Sequence, residues 1–156
     1  MAGIKYREAQ DIRLNIKKIC YVLGLDHVNL ERVFCIRSHE SSSRNIIARC
    51  HALPKILQQV LEIEPAYVIE ILSEKFDKMS EEDQIKTLIH ELLHIPKAFG
   101  GGFRHHDFVQ RRTIDKFYRE FKKNEHKFNF EQPLKPEELK QEEEIEKKDR
   151  NSLWDF

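Results

Sequence analysis

The sequence predicts an α+β domain followed by a charged tail, and three observations carry that prediction. Long segments place apolar residues at helical spacing on either side of short β-branched runs that read as strands. Near residue 124 the composition turns to Glu, Lys and Gln, interrupted by Pro133 and Pro136. At 156 residues the chain is long enough for one domain with its own core. Residues 1–123 are therefore assigned to the domain and 124–156 to a tail that is disordered or partly helical.

In order along the chain, Ile12, Ile16, Ile19 and Leu23 share one face of a helix expected over 6–23 and ended at Gly24. Residues 30–38 and 45–52 read as two strands, and the Ser-rich stretch between them as the tip of a β-hairpin. Pro54 opens a short helix to about residue 61. Residues 66–72 are apolar and β-branched and predict a further strand immediately before the next helix. That helix starts at Ser80-Glu81-Glu82-Asp83, a side-chain cap followed three residues on by an acid. It carries Ile85, Leu88, Ile89, Leu92 and Leu93 on one face and closes at Pro96. A last helix is expected from about 106 to 121, with Val109, Thr113, Phe117 and Phe121 on its inner face.

The candidate chemistry lies in His90-Glu91-Leu92-Leu93-His94. Two histidines four residues apart on a helix point the same way and can share one zinc ion, with the glutamate between them as base toward a water on that ion. A catalytic zinc usually takes a third protein ligand and keeps one position open. The metzincin pattern is excluded, because Lys97 and Gly100 stand where it needs glycine and histidine. Downstream, Gly100-Gly101-Gly102 allows a sharp return of the chain toward His105 and His106. Helical phase places His106 with the inner face of the last helix and His105 on the polar side, which favours His106 as the third ligand. Glu120 is the weaker carboxylate alternative. Arg104, His105, Tyr67 and Tyr118 are candidates for stabilising an oxyanion, and Asp107 and Glu70 for orienting the ligand histidines.

These residues resemble a family of small zinc metallopeptidases from archaea and phages. The likeness is carried by His90-Glu91-Leu92-Leu93-His94-Ile95-Pro96, by Gly101-Gly102-Phe103-Arg104 and by His106. Upstream it includes Arg32-Val33-Phe34-Cys35-Ile36-Arg37-Ser38 and Pro65-Ala66-Tyr67-Val68-Ile69-Glu70, so it spans most of 30–121. The resemblance implies a zincin-like fold with an N-terminal helix, a β-hairpin plus an edge strand beside the cleft, the motif helix and a second ligand-bearing helix. It implies one Zn²⁺ per chain on His90, His94 and His106, and peptide-bond hydrolysis with Glu91 as general base. His105 stands where proline or arginine is expected. More distantly the layout looks like SprT-type proteases, which act near DNA. A non-catalytic zinc-binding interaction module is the remaining reading.

Net charge is zero, but it divides into 21 basic and 17 acidic residues before position 124 and 6 basic and 10 acidic residues from there on. The basic excess of the body is small for a dedicated nucleic-acid binder, so nucleic acid is a weak candidate partner and a protein or peptide substrate the main one. Lys5, Arg7, Glu8, Asp11 and Arg13 interrupt the first stretch, so no signal peptide is read. No apolar run approaches the roughly 20 residues of a membrane span. Cys20, Cys35 and Cys50 lack metal spacing and read as reduced thiols, which predicts a cytoplasmic protein; Cys35 and Cys50 are close enough in a hairpin for a minor disulfide option. Leu153, Trp154, Asp155 and Phe156 form a candidate docking peptide.

Overall fold

The computed structural model describes residues 3–128. A strand β1 (Lys5–Glu8) precedes helix α1 (Gln10–Leu23), so the helix expected from residue 6 starts four residues later. Ile12, Ile16, Ile19 and Cys20 are its buried face, and Gly24, at φ 63°, ends it in the left-handed conformation that glycine adopts without a Cβ penalty. A single 3-10 turn (Leu30–Arg32), capped by the Asn29 side chain, leads into β2 (Val33–His39). Strand β3 (Ala48–Ala52), helix α2 (Lys55–Leu61) and strand β4 (Tyr67–Leu72) follow. One turn of helix, α3 (Ser73–Phe76), separates β4 from α4 (Glu81–Leu93), and α5 (Arg111–Asn124) is last.

The four strands form one sheet in the order β1-β2-β4-β3. β4 runs parallel to β2 and antiparallel to β3. The expected hairpin is therefore absent: β2 and β3 are consecutive in sequence but β4 lies between them. The edge assignment also moves, since residues 66–72 form an interior strand and β3 takes the edge beside α4. The physical reason is burial. Tyr67, Ile69 and Ile71 are fully buried, and a strand covered on both sides by neighbours is the one that needs a near-continuous apolar run.

Helices cover one face of this sheet. Val33 and Cys35 of β2 and Tyr67, Ile69 and Ile71 of β4 join α1 and the apolar face of α4 in one core, to which α5 adds Ile114 and Phe121. α4 is built as its sequence indicates: the Ser80 hydroxyl accepts from Asp83 N–H at 3.2 Å, three acids stand at the positive end, and Ile85, Leu88, Ile89, Leu92 and Leu93 are buried. On the opposite sheet face Glu70 is buried, with Ser38 Oγ donating to it at 2.8 Å and His51 and Arg49 beside it at 2.8 and 3.0 Å. Cys35 and Cys50 flank Ile69 in one row, and all three cysteines are free thiols.

Among the described residues no helix is long and apolar enough to cross a membrane. α5 and a following 3-10 turn (Glu125–Lys127) carry the chain past residue 124 to Phe128, whose ring meets Tyr21 at 5.3 Å. Of the tail expected over 124–156, residues 129–156, including the docking peptide at 153–156, lie outside the described residues.

Candidate metal centre

α4 positions two histidines. His90 lies in its last turn and His94 caps its C-terminus, so the four-residue spacing brings both rings to one side. Their Nε2 atoms are 3.0 Å apart. Past Pro96 the chain swings out through the three glycines and returns, where Arg104 N–H donates to the His94 carbonyl at 2.7 Å. The return brings His106 over the pair, its ring centroid 4.9 Å from His94 and 5.8 Å from His90. One nitrogen from each of the three lies within 4.8 Å of the others. Two nitrogens sharing a tetrahedral zinc at about 2.0–2.1 Å stand roughly 3.3 Å apart, so the separation between His90 and His94 fits a common ion with little movement. His105 is exposed, and its carbonyl accepts from Phe108 N–H at 3.1 Å and from Val109 N–H at 3.2 Å.

His106 is the histidine that the chain brings to the pair, but not for the reason of helical phase. It stands in an exposed loop, and the helix expected to carry it begins only at Arg111. The loop is held by its backbone. Tyr67 Oη donates to the Gly102 carbonyl at 2.8 Å and accepts from Gly101 N–H at 3.0 Å, while its ring lies 4.8 Å from Phe99 and 6.2 Å from Phe103. Gln58 Nε2 donates to the Gly100 carbonyl at 3.1 Å and to the Leu53 carbonyl at 2.7 Å. Gly101 sits at φ 100° with the Leu53 carbonyl 2.7 Å from where a Cβ would be, so only glycine suits this crossing. The anchored loop then presents the Arg104 carbonyl to His94 Nδ1 at 2.9 Å, which fixes the ring and leaves Nε2 for an ion.

That carbonyl does what Asp107 and Glu70 were expected to do. Asp107 is exposed, and Glu70 turns to Ser38, Arg49 and His51 on the sheet face away from α4. Tyr67 is likewise unavailable to an oxyanion, being fully buried with its hydroxyl engaged by the loop. The Arg104 guanidinium stacks at 4.2 Å over the Phe108 ring, and Tyr118 is half-buried under Lys86 Nζ. A backbone carbonyl as orienting group leaves no mark in the sequence, which is why residue types did not reveal it.

Glu91 is 6% exposed and accepts from Cys50 N–H. Burial pushes its carboxyl up to about 7, and the Cys50 amide opposes this. His90 moves the other way, to about 4, through burial and the neighbouring His94 and His106 rings. A cleft of about 740 Å³ opens beside His90, Glu91 and His106 and runs past Thr87 to Ile46 and Ile47 ahead of β3. The ladder bonds Leu72 N–H to Ile47 O and Leu53 N–H to Ala66 O set the phase of β3. Its odd-numbered residues bond to β4, so Ala48, Cys50 and Ala52 turn their N–H and C=O groups to the open edge.

A family model described as Putative phage metallopeptidase matches residues 4–129. Comparison with curated proteins and with solved structures returned no match.

Proposed function

Because this chain belongs to the phage metallopeptidase family, we propose that it hydrolyses peptide bonds with one zinc ion held by His90, His94 and His106 and with Glu91 as general base. The observation that carries this reading is the convergence of three imidazole nitrogens within 4.8 Å beside a buried carboxylate that is not itself one of the donors. An all-imidazole set of three suits zinc and leaves a coordination position for solvent or substrate. Zinc, when bound, supplies acidity toward a water and polarisation toward a carbonyl.

The chain's own residues do the rest. His94 is fixed by the Arg104 carbonyl with Nε2 toward the site, and His90, kept neutral by burial, offers a lone pair at neutral pH. Glu91 takes a proton from the attacking water and returns it to the leaving nitrogen, a role suited to a carboxyl whose affinity for protons is raised to near neutrality. The Cys50 amide holds that carboxylate at the edge of β3. A peptide substrate lies extended along the same edge, bonding to the free groups of Ala48 and Ala52. Three unpaired thiols suit a reducing compartment such as the cytoplasm.

Metal analysis and casein cleavage, comparing the wild-type chain with Glu91→Gln, test the assignment. The variant is expected to keep one zinc per chain and to lose about 10²–10⁴-fold in activity, the usual worth of a general base. Zinc loss in that variant, or activity surviving in it, would remove Glu91 from the role.

A further inference from the structure

The basic excess of the body collects on one helix. α5 holds six Lys/Arg and two acids in 14 residues. At about 100° per residue, Arg112, Lys116, Arg119 and Lys123 form one row opposite the buried Ile114 and Phe121. All four are exposed. Among the described residues the nearby acids have partners outside the row, Asp115 with Lys86 at 3.0 Å, Glu120 with Asn124 at 2.8 Å, and Glu125 with Lys122 at 2.6 Å and Lys18 at 3.5 Å, although the Asp115 charge also feels Arg119. An ordinary solvated helix face alternates signs at four-residue spacing, whereas like charges there repel. This row keeps four like charges together.

Aromatic surface lies against the same row. Phe108 is 41% exposed beneath the Arg104 guanidinium. Between Phe108 and Phe117 is a hollow of about 480 Å³ bordered by Arg112, Thr113, Lys116 and Arg119, with no acid at its border among the described residues. The hollow is separate from the metal cleft, which lies on the other side of α5 against Ile114 and Asp115.

We propose that this outer face of α5 binds single-stranded nucleic acid, with phosphates along Arg112, Lys116, Arg119 and Lys123 and an unstacked base against Phe108 in the hollow. A cationic track beside an exposed ring is the combination that holds single strands without reading sequence, and a base inside a duplex has no face free for the ring. The inference does not depend on the peptidase reading, since none of these residues belongs to the metal centre.

Fluorescence anisotropy of a labelled oligothymidylate with the full-length chain, in chelator, tests it against a duplex of equal length. The expected result is preferential binding of the single strand, with a log–log salt slope of about −3 for four neutralised phosphates. The combined variant Arg112→Glu, Lys116→Glu, Arg119→Glu should bind more than tenfold more weakly while keeping its circular dichroism and casein cleavage. Phe108→Ala should weaken binding about tenfold with the salt slope unchanged. Absence of binding by the wild-type chain, equal binding by the charge-reversed variant, or a preference for duplex indifferent to Phe108→Ala each overturns the proposal. So does binding that emerges only when Glu142, Glu143, Glu144 and Glu146 are changed to Gln, which would make the chain's own acidic run the partner of the row. Loss of casein cleavage in the wild-type chain would strike the peptidase reading alone.

Discussion

Glu91 shows how far one residue's surroundings set its behaviour. Its folded-state carboxyl titrates at about 7 against an ordinary 4.5. The proton is held more tightly in the folded chain, so this group's contribution is intact below about pH 4.5, declines as pH rises, and is fully lost above 7. In chelator at pH 8, Glu91→Gln should therefore be more stable than wild type by about 3 kcal/mol, with the gap closing below pH 5. Urea unfolding at the two pH values measures it, and an equal gap at both would show that ionisation is not the cause. Tyr67 makes the complementary case, acting through the loop. Tyr67→Phe strands the Gly101 amide and the Gly102 carbonyl, and should lower zinc affinity about tenfold while leaving the rate at saturating zinc nearly unchanged. A zinc titration of activity separates those two effects. The sequence displayed His90, Glu91 and His94 because a candidate metal site of this kind is defined by residue types and their spacing. It could not display the Arg104 carbonyl or the Cys50 amide, which every residue possesses.

Among the elements, those whose apolar pattern is matched by local punctuation were legible. Ile12, Ile16 and Ile19 with Gly24 define α1, and Ser80 with the Ile85–Leu93 stripe defines α4. The strand order departs from the one their sequence predicts because pairing is not a local property. Val33 to His39 and Ala48 to Ala52 look like a hairpin on proximity alone, yet β4 outcompetes β3 for the place beside β2 by burying Tyr67, Ile69 and Ile71 completely. α5 starts later than its periodicity predicts for a similar reason. Val109 is buried in the core, which continues the apolar phase backward over a stretch that is loop. Carriage of His106 by that loop leads to a direct comparison. His106→Ala should lower zinc content well below one per chain, whereas His105→Ala should keep one, as read by metal analysis after dialysis. The opposite outcome would transfer the third ligand to His105.

On the scale of the whole molecule, the ion would join α4 to a loop that otherwise hangs on Tyr67, Gln58 and Arg104. An ion that binds only the folded chain stabilises it by about 2.7 kcal/mol at a hundredfold excess over its Kd. For a domain of this size that corresponds to a rise in Tm of roughly 8–15 °C. Calorimetry with zinc and with chelator measures the shift, and its absence would mean that the histidines hold no ion in the native state. The same division into core and loop bears on how such a chain can change by descent. One residue inserted within α4 would turn everything beyond it by about 100°, moving Leu93 to the half-exposed place of His94 and His90 into the buried place of Glu91. Both functions would fail at once, so length and register there are closed to drift. In the segment between Pro96 and Gly100, Phe99 packs against Tyr67 while Lys97 and Ala98 are exposed and answer only to the anchors on either side. Lineages can lengthen or shorten that segment while His106 stays in place.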